Sequence, residues 1–317
     1  MKIVYLGSGE FGIECLRVLA GSNNTLDFIV TQPPRQAGRG RKPKPTPVAD
    51  WAKNHSIPFI ETDNVNTPET IEEIRTYRPE LIVVIAFGQK IGNELIALPA
   101  KGSINVHASL LPRYRGAAPI NRVIINGETQ TGITIITLAE KMDAGKILAQ
   151  QKIDIETNET AGQLHDRLAQ MAAPLLLGTI EKIADGSVIY TEQDHSKATL
   201  APKIKKSDGF LDFSEPAENL VRKILGFWPW PGASAIYVSK KSGRCERLTI
   251  GMAEIVETSN PDSLQPGILD NDLNITCGKN ALKVTQVKPA GGSLMAFADF
   301  VNGRSTQAGD LFMKIDK

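Results

Sequence analysis

The sequence predicts an α/β protein in which a largely parallel sheet, covered by helices on both faces, precedes a small and mostly antiparallel β-barrel. Apolar runs typical of strands alternate with helical patterns through the first half of the chain. The run from Leu81 to Ala86 is apolar at every position, as expected of a central strand covered on both sides. Beyond Trp230 only short strand-like pieces remain, separated by Gly, Pro and Asn.

The predicted elements follow this order along the chain. Strands lie near residues 2–6, 26–31, 57–60, 81–86 and 102–106, with helices near 10–21, 47–55, 67–77 and 118–126. Next come strands at 132–138 and 146–153, a helix at 160–184, a short helix beginning near Ser214, and strand-like pieces at 235–238, 248–255, 274–277 and 282–287. The segment 195–206 has no clear periodicity and carries four lysines, so it is interpreted as a linker between domains 1–194 and 207–317.

Length and composition exclude several classes of protein. The 317 residues suffice for about two domains, and 22% charged with 41% hydrophobic residues exclude a disordered, collagenous or coiled-coil chain. No apolar run approaches the roughly 18 residues of a membrane span. The net charge of +1 gives no indication of a nucleic-acid partner, although a sum over the whole chain hides local patches.

Three cysteines, Cys15, Cys245 and Cys277, lie far apart without a C-x-x-C pair or neighbouring histidines, so no zinc site is predicted. Each is expected to be a small, buried apolar residue. This usage fits a reducing compartment, and the strand-like run that starts at Lys2 leaves no room for a signal peptide. We therefore expect a cytoplasmic protein and, by default, a monomer.

A glycine pattern follows the first predicted strand. Gly7, Gly9 and Gly12 form a G-x-G-x-x-G at the place where a dinucleotide-binding fingerprint belongs. That fingerprint also requires an acidic residue at the end of the second strand, and this strand ends in Thr31-Gln32. A tight turn and close helix packing account for the glycines, and NAD is not expected.

The segment 33–47, here called the basic loop, carries Arg35, Arg39, Arg41, Lys42 and Lys44 and no acidic residue. Its five prolines and two glycines exclude a helix or a central strand. One reading is a solvated surface loop. The other is functional, because long insertions into α/β units often are, and five cations can contact several phosphates.

Asn105 and His107 lie two residues apart near the carboxyl end of a predicted strand. Their side chains leave the same face, at the edge where open α/β sheets place their ligands. A lone histidine is more often structural than catalytic. The amide donor beside it and the rigid turn from Ser109 to Pro112 make a catalytic role for His107 as well supported as a structural one.

From Asn105 onward the sequence resembles the formyltransferases that use 10-formyltetrahydrofolate. The motifs are Asn105-Val106-His107, SLLPRYRGAAPIN over residues 109–121, and Asp143 in the loop 140–145. The resemblance extends over nearly the whole chain, through Thr31-Gln32-Pro33, residues 37–40, Phe87-Gly88-Gln89 and residues 227–233. It is close to those members of the family that act on methionyl-tRNA.

The resemblance implies a Rossmann-like formyl-transfer domain followed by an OB-like barrel that binds tRNA. The implied reaction moves a formyl group from the folate N10 to the α-amine of methionine esterified to initiator tRNA. The Asn105 amide would donate to the formyl oxygen, where negative charge develops. His107 would donate to that oxygen when protonated, or relay the proton of the amine. Asp143 would pair with His107, orient the ring and stabilise its charged form.

The resemblance also assigns binding residues. Folate is expected to contact Ser109, Leu110, Leu111 and Pro112, with backbone contacts from Phe87 and Gly88. The tRNA is expected on the basic loop, through Arg35, Arg39, Arg41, Lys42 and Lys44, and on Lys203, Lys205 and Lys206 before the barrel. Arg39 is the residue expected to probe the acceptor end. No metal is expected.

Three alternatives stay open. A folate-dependent formyltransferase that acts on an amino-sugar nucleotide would share the Asn, His and Asp constellation, but it is not expected to need a proline-rich basic loop. A nucleic-acid-binding module without catalysis would leave Asn105, His107 and Asp143 without a role. An NAD-dependent oxidoreductase is disfavoured by the missing acidic residue.

Overall fold

The computed structural model describes residues 1–37, 42–258 and 265–316. These residues form two compact units. The first unit comprises residues 1–119, 130–154 and 165–202, and the second comprises the other described residues. No helix in the described ranges is both long enough and apolar enough to cross a membrane.

Within the described ranges, the first unit is built on a mostly parallel, seven-stranded sheet. The strands of this unit, two of which lie outside that sheet, are β1 (Lys2–Gly7), β2 (Thr25–Thr31), β3 (Arg35–Ala37), β4 (Lys42–Lys44), β5 (Phe59–Glu61), β6 (Leu81–Ile85), β7 (Ser103–His107), β8 (Gln130–Thr137) and β9 (Ile147–Asp154). The sheet order is β5-β2-β1-β6-β7-β8-β9, parallel from β5 to β7 and antiparallel through β8 and β9. β3 and β4 pair antiparallel with each other, outside this sheet.

Eight α-helices lie in the described ranges, and two of them begin at threonine caps. They are α1 (Ile13–Ala20), α2 (Pro47–Asn54), α3 (Pro68–Thr76), α4 (Asn93–Ala97), α5 (Pro119–Ile125), α6 (Ala161–Asp185), α7 (Ala217–Phe227) and α8 (Phe297–Arg304). Thr46 and Thr67 cap α2 and α3, and each is followed by a proline in the first turn. A proline is tolerated there because its missing N–H would have no partner within the helix.

The central strands of the first unit place a ligand crevice at one edge of the sheet. β6 is buried along its whole length, between β1 and β7. The chain runs from β1 outward to β2 and β5 and then returns to β6, so the strand order reverses between β1 and β6. In open α/β sheets the crevice beyond the carboxyl ends at such a reversal is where ligands bind.

The glycine turn after β1 is explained by packing on Tyr5. A Cβ atom on Gly12 would lie 1.9 Å from the Tyr5 hydroxyl oxygen, and one on Gly7 would lie 2.5 Å from the Tyr5 ring. Tyr5 is fully buried, and its hydroxyl has no hydrogen-bond partner in the part of the chain that the structure describes. Burial raises the pKa of this phenol, and the charge of an ionised Cys15 thiol would raise it further. The glycines are therefore required by the interior of the fold.

The second unit contains a nearly closed, mostly antiparallel barrel. Its strands are β10 (Ala233–Val238), β11 (Cys245–Val256), β12 (Ile275–Thr276), β13 (Ala281–Pro289), β14 (Met295–Ala296) and β15 (Leu311–Met313). The order is β12-β13-β11-β10-β15, with β14 added beside β13. Bridges from Ile268 to Leu311 and from Leu269 to Ile275 connect the two edge strands and nearly close the barrel.

The predicted fold class is confirmed, and the differences are local. Cys245 is exposed, so its prediction as a buried residue is wrong: it is the first residue of β11, next to a turn. The sequence does not predict α8, because Asn302 and Gly303 are residues typical of loops, yet Phe297 and Phe300 are buried. The short elements α4, β3, β4, β14 and β15 are also absent from the prediction.

Candidate active site

Asn105 and His107 lie on β7, close to its carboxyl end. Alternate side chains of a strand share a face, so both project from the same side of the sheet. His107 is buried, whereas Asn105 is partly exposed. Among the described residues nothing hydrogen-bonds to the Asn105 side chain, which leaves its amide available to a ligand.

The imidazole of His107 is fixed through one of its two nitrogens. Nε2 lies 2.9 Å from the backbone oxygen of Tyr114, and a carbonyl only accepts, so Nε2 carries the hydrogen. The same peptide group donates its N–H, that of Arg115, to the backbone oxygen of Thr199 at 2.8 Å, which fixes the direction of the carbonyl. Any proton that His107 gains or releases in a reaction therefore moves at Nδ1.

Asp143 faces that free nitrogen. Its Oδ2 atom lies 3.6 Å from His107 Nδ1 and accepts a hydrogen bond of 2.8 Å from the backbone N–H of Gly116. The carboxyl side chain is only 12% exposed. A movement of about 0.5 Å would bring the two side chains to hydrogen-bond distance. The structure thus brings together two residues that are 36 positions apart in the sequence.

The segment 139–146, here called the Asp143 loop, is held by a residue that sequence reasoning missed. Gln193 is buried, and its Nε2 atom donates to the backbone oxygens of Asp143 at 2.8 Å and of Gly145 at 2.7 Å. A Cβ atom on Gly145 would lie 1.7 Å from the backbone oxygen of Thr137, so only glycine permits this approach. An uncharged glutamine outside any motif gives no signal in a single sequence.

The turn after β7 divides the four expected folate residues into two pairs. Ser109 and Leu111 are buried, and each is used internally: the Ser109 hydroxyl donates to the backbone oxygen of Arg113 at 2.7 Å, and the Leu111 N–H donates to Thr134 Oγ1 at 3.1 Å. The other two residues, Leu110 and Pro112, are partly exposed. The buried pair therefore shapes the turn, and the other pair reaches its surface.

Phe87 and Gly88 follow β6 at the crevice. The Phe87 side chain is buried, and its carbonyl accepts a hydrogen bond of 2.6 Å from Gln32 Nε2. Gly88 has φ of 77°, and a Cβ atom there would lie 2.6 Å from the same Gln32 nitrogen. In the described ranges no acceptor faces the backbone N–H groups of Phe87 and Gly88, so these two donors are open to a ligand.

The basic loop is described only in part. Arg35 lies on β3, and Lys42 and Lys44 lie on β4, all with exposed side chains. They form no ion pair with any residue that the structure describes. Arg39 and Arg41 lie outside the described residues.

The second unit has its own exposed basic segment. Lys203, Lys205 and Lys206 are exposed, and Phe210, a few residues on, bridges to Ser234 beside the loop that carries Trp230. Trp230 is 53% exposed. Within the same unit Asp208, close to the lysines, pairs with Arg122 at 3.4 Å, so this carboxylate is already engaged. Among the described residues no group of His, Cys, Asp and Glu side chains could hold a metal ion.

Two family profiles match the chain. The profile of the family described as Formyl transferase matches residues 1–180, and that described as Formyl transferase, C-terminal domain, matches residues 203–305. Together the two profiles cover most of the chain.

Solved structures show the same fold at low sequence identity. HypX from Aquifex aeolicus, in complex with tetrahydrofolic acid, superposes with a TM-score of 0.60 at 16% identity, over 95% of this chain. The chain spans 47% of the length of that protein. WlaRD, a sugar 3N-formyl transferase whose structure was determined in the presence of dTDP and 5-N-formyl-THF, superposes with a TM-score of 0.62 at 14% identity, over 100% of this chain and 98% of its own.

Relatives at higher identity extend over the full length. The methionyl-tRNA formyltransferase of Citrifermentans bemidjiense is 38% identical over 319 aligned residues, which cover 100% of this chain and 98% of its own. That of Thermotoga maritima is 38% identical and covers 96% of both chains. With two family profiles and relatives of this identity along its whole length, the chain belongs to the methionyl-tRNA formyltransferase family.

Proposed function

We propose that the protein transfers a formyl group from 10-formyltetrahydrofolate to the α-amino group of methionyl initiator tRNA. One observation carries the proposal: His107 Nδ1 lies 3.6 Å from Asp143 Oδ2, and Asn105, with an amide that no described residue engages, projects from the same face of β7 as His107. The names of the full-length relatives support the acceptor. A cytoplasmic location and a monomeric state stay predictions.

In this reaction the folate supplies the formyl group. The amine forms a bond to the formyl carbon, the bond from that carbon to N10 breaks, and the amine proton passes to N10. Negative charge develops on the formyl oxygen, and a hydrogen-bond donor aimed at that oxygen lowers the activation free energy by about 3–4 kcal/mol. Asn105 fits this role because its amide is uncharged, partly exposed and not engaged by described residues.

His107 is assigned the proton transfer, and its geometry fixes the atom. Nε2 is committed to the Tyr114 carbonyl, so the proton is accepted and delivered at Nδ1. Asp143 lies beside that nitrogen and balances the positive charge of the protonated ring. General acid and base groups of this kind typically contribute about 10²–10⁴ in rate.

The folate site is proposed at the same edge of the sheet. Leu110 and Pro112 offer partly exposed apolar surface, and the N–H groups of Phe87 and Gly88 offer donors for the polar edge of a pterin. Apolar walls with a few placed polar groups are typical of small-molecule sites. Ser109 and Leu111 act by shaping the turn.

The tRNA is assigned to basic segments in each unit. Arg35, Arg39, Arg41, Lys42 and Lys44 of the basic loop are proposed to contact the acceptor end, and the C-terminal domain predicted at 207–317 is proposed to add a second contact, after the predicted linker 195–206. That contact involves Lys203, Lys205 and Lys206, with the exposed indole of Trp230 as a surface on which a base can stack. Phosphate neutralisation supplies the affinity that the net charge of +1 does not.

One assay tests the proposed function. Formyl transfer from 10-formyltetrahydrofolate is measured with methionyl initiator tRNA, with elongator methionyl-tRNA and with an amino-sugar nucleotide as acceptors. We expect transfer to the initiator alone. Transfer to the sugar nucleotide alone would establish the alternative enzyme, which the identity of the full-length relatives does not favour, and transfer to none of the three would refute the proposal.

A further inference from the structure

A buried polar pair lies behind the Asp143 loop in the first unit. Arg115 is 4% exposed and Gln193 is 5% exposed. Two guanidinium nitrogens of Arg115 donate to Gln193 Oε1, Nη2 at 2.6 Å and Nε at 3.3 Å. Nη2 also donates to Nδ1 of His195 at 2.9 Å. Within the described ranges, the two side chains that accept from this buried cation do so with uncharged groups.

Arg115 determines which way the carboxamide of Gln193 points. A guanidinium only donates, so it binds the oxygen of the amide and forces the NH₂ group to the opposite side. There the NH₂ group meets the carbonyls of Asp143 and Gly145 at 2.8 and 2.7 Å. The reversed amide would place oxygen against oxygen at the loop and NH₂ against guanidinium, which are two repulsive contacts.

The Asp143 loop needs this support. Its residues 139–142 are exposed, and Asp143 has φ of 51°, in the left-handed region that aspartate adopts more readily than most residues, so side-chain contacts are left to hold the loop in place. The segment Arg115-Gly116 therefore reaches Asp143 twice. Gly116 holds the carboxylate directly through its N–H, and Arg115 holds the backbone through Gln193.

We propose that Gln193, oriented by Arg115, is a positioning residue that aims the Asp143 carboxylate at Nδ1 of His107. Neither side chain is exposed enough to touch a substrate, so the pair acts through Asp143. The inference rests on the proposed function. It adds Arg115 and Gln193, which take no part in the formyl transfer themselves but position a residue that does.

The variant Gln193→Glu isolates this role. The glutamate keeps the size of the side chain and strengthens its bond to Arg115, but its second oxygen replaces the NH₂ group and repels the two carbonyls. Displacement of a catalytic group by about 1 Å can cost about 100-fold, so we expect kcat to fall about 10–100-fold. KM for the folate and for the tRNA should stay at the wild-type value, since no substrate contact is lost.

Controls separate positioning from a general loss of structure. Gln151→Glu introduces the same charge on an exposed residue of β9 and should leave kcat unchanged. Gln193→Met has no oxygen to repel the loop, but it also lacks the NH₂ group that holds the loop, so it should lower kcat as well. Thermal unfolding of each variant is measured, and kcat is referred to the folded fraction.

A double-mutant cycle decides the matter. In an Asp143→Ala background, Gln193→Glu should have no further effect on kcat, because the group that it positions is gone. If Gln193→Glu lowers kcat by the same factor in both backgrounds, or retains wild-type kcat while Asp143→Ala is slow, the positioning role is wrong and the proposed function stands. If Asp143→Ala itself retains wild-type kcat, the assignment of Asp143 in the proposed function fails.

Discussion

The Asp143 loop and the basic loop both carry charged side chains to the same unit of the protein, and they are built in opposite ways. The Asp143 loop is fixed by hydrogen bonds that the side chain of buried Gln193 and the N–H of Gly116 donate to its backbone and carboxylate. In the described part of the basic loop, Arg35, Lys42 and Lys44 are exposed and form no ion pair with described residues. The carboxylate beside His107 Nδ1 is fixed, whereas the described cations of the segment proposed to contact tRNA are exposed.

The ends of the basic loop are nevertheless tied to the sheet. Thr31 Oγ1 and Thr46 Oγ1 lie 2.7 Å apart, and Gln32 Nε2 donates to the Phe87 carbonyl. The two loops therefore differ in the step, folding or binding, at which they lose conformational entropy. For the Asp143 loop this entropy is lost on folding. The exposed side chains of Arg35, Lys42 and Lys44 would lose it on binding of the proposed tRNA, which would lower affinity and aid discrimination.

The largest effect should follow from removing Asp143, which the fixed loop carries, or its partner His107. Asp143→Ala or His107→Ala is expected to lower kcat by about 10²–10⁴, because the proton transfer loses its acceptor or the charge beside it. Single-turnover rates at saturating folate and tRNA measure this directly. Asp63→Ala, an exposed carboxylate of the same unit, serves as the control and should have wild-type rates. Near-wild-type turnover of either variant would remove that residue from the mechanism.

A smaller effect, of the opposite kind, is expected from the basic loop. Arg39→Ala should raise KM for methionyl initiator tRNA about tenfold, a loss of about 1.4 kcal/mol, and leave kcat and the KM for folate unchanged. Lys42→Gln should act more weakly and reduce the salt slope of tRNA binding by about 1.

Lys152→Gln, an exposed lysine on β9, is the matched control for these charge removals. Binding of tRNA is measured between low and moderate salt for all three variants. Equal loss of tRNA and folate affinity in Arg39→Ala would show that the loop supports the folate site rather than the tRNA.

The smallest effect concerns the anchor of the basic loop. Thr46→Ala removes the hydroxyl that caps α2 through the Ala49 N–H and contacts Thr31, so the free energy of unfolding should fall by about 1 kcal/mol. Thr46→Ser keeps the cap and should retain most of the stability. Chemical denaturation of both variants checks this. An equal loss in the serine variant would assign the stability to the methyl group of the threonine instead.

Much of the fold is visible in the sequence because burial on both faces imposes a pattern. β6 is apolar at every position, and the threonine-proline starts of α2 and α3 mark helix ends. α8 is not visible, since only two buried phenylalanines distinguish it from a loop. Side chains of a strand alternate by rule, so the common face of Asn105 and His107 also follows from the sequence.

The rest of the candidate site could not be predicted because it consists of backbone groups and long-range contacts. The carbonyl of Tyr114 and the N–H of Gly116 are backbone groups that nearly every residue has, so the residue type does not show that they are used here. Gln193 is separated from Arg115 by 78 positions and from Gly145 by 48. No periodicity spans such distances, and only the folded sheet reveals which amide faces which carbonyl.

The phenol packed beneath the glycine turn makes the fold sensitive to alkali. Burial raises the pKa of Tyr5 well above its ordinary value, and burial followed by the charge of Glu14 raises the pKa of the Cys15 thiol from 9.0 to about 12. Both groups stay protonated in the folded protein at pH values where the unfolded chain releases the proton. The stability that this thiol contributes is complete below about pH 9 and declines as the pH rises towards 12, by about 1.4 kcal/mol per pH unit for one proton. The buried phenol and thiol beneath the glycine turn are thus expected to lower the free energy of unfolding at alkaline pH, which denaturant unfolding measured between pH 8 and pH 11 checks.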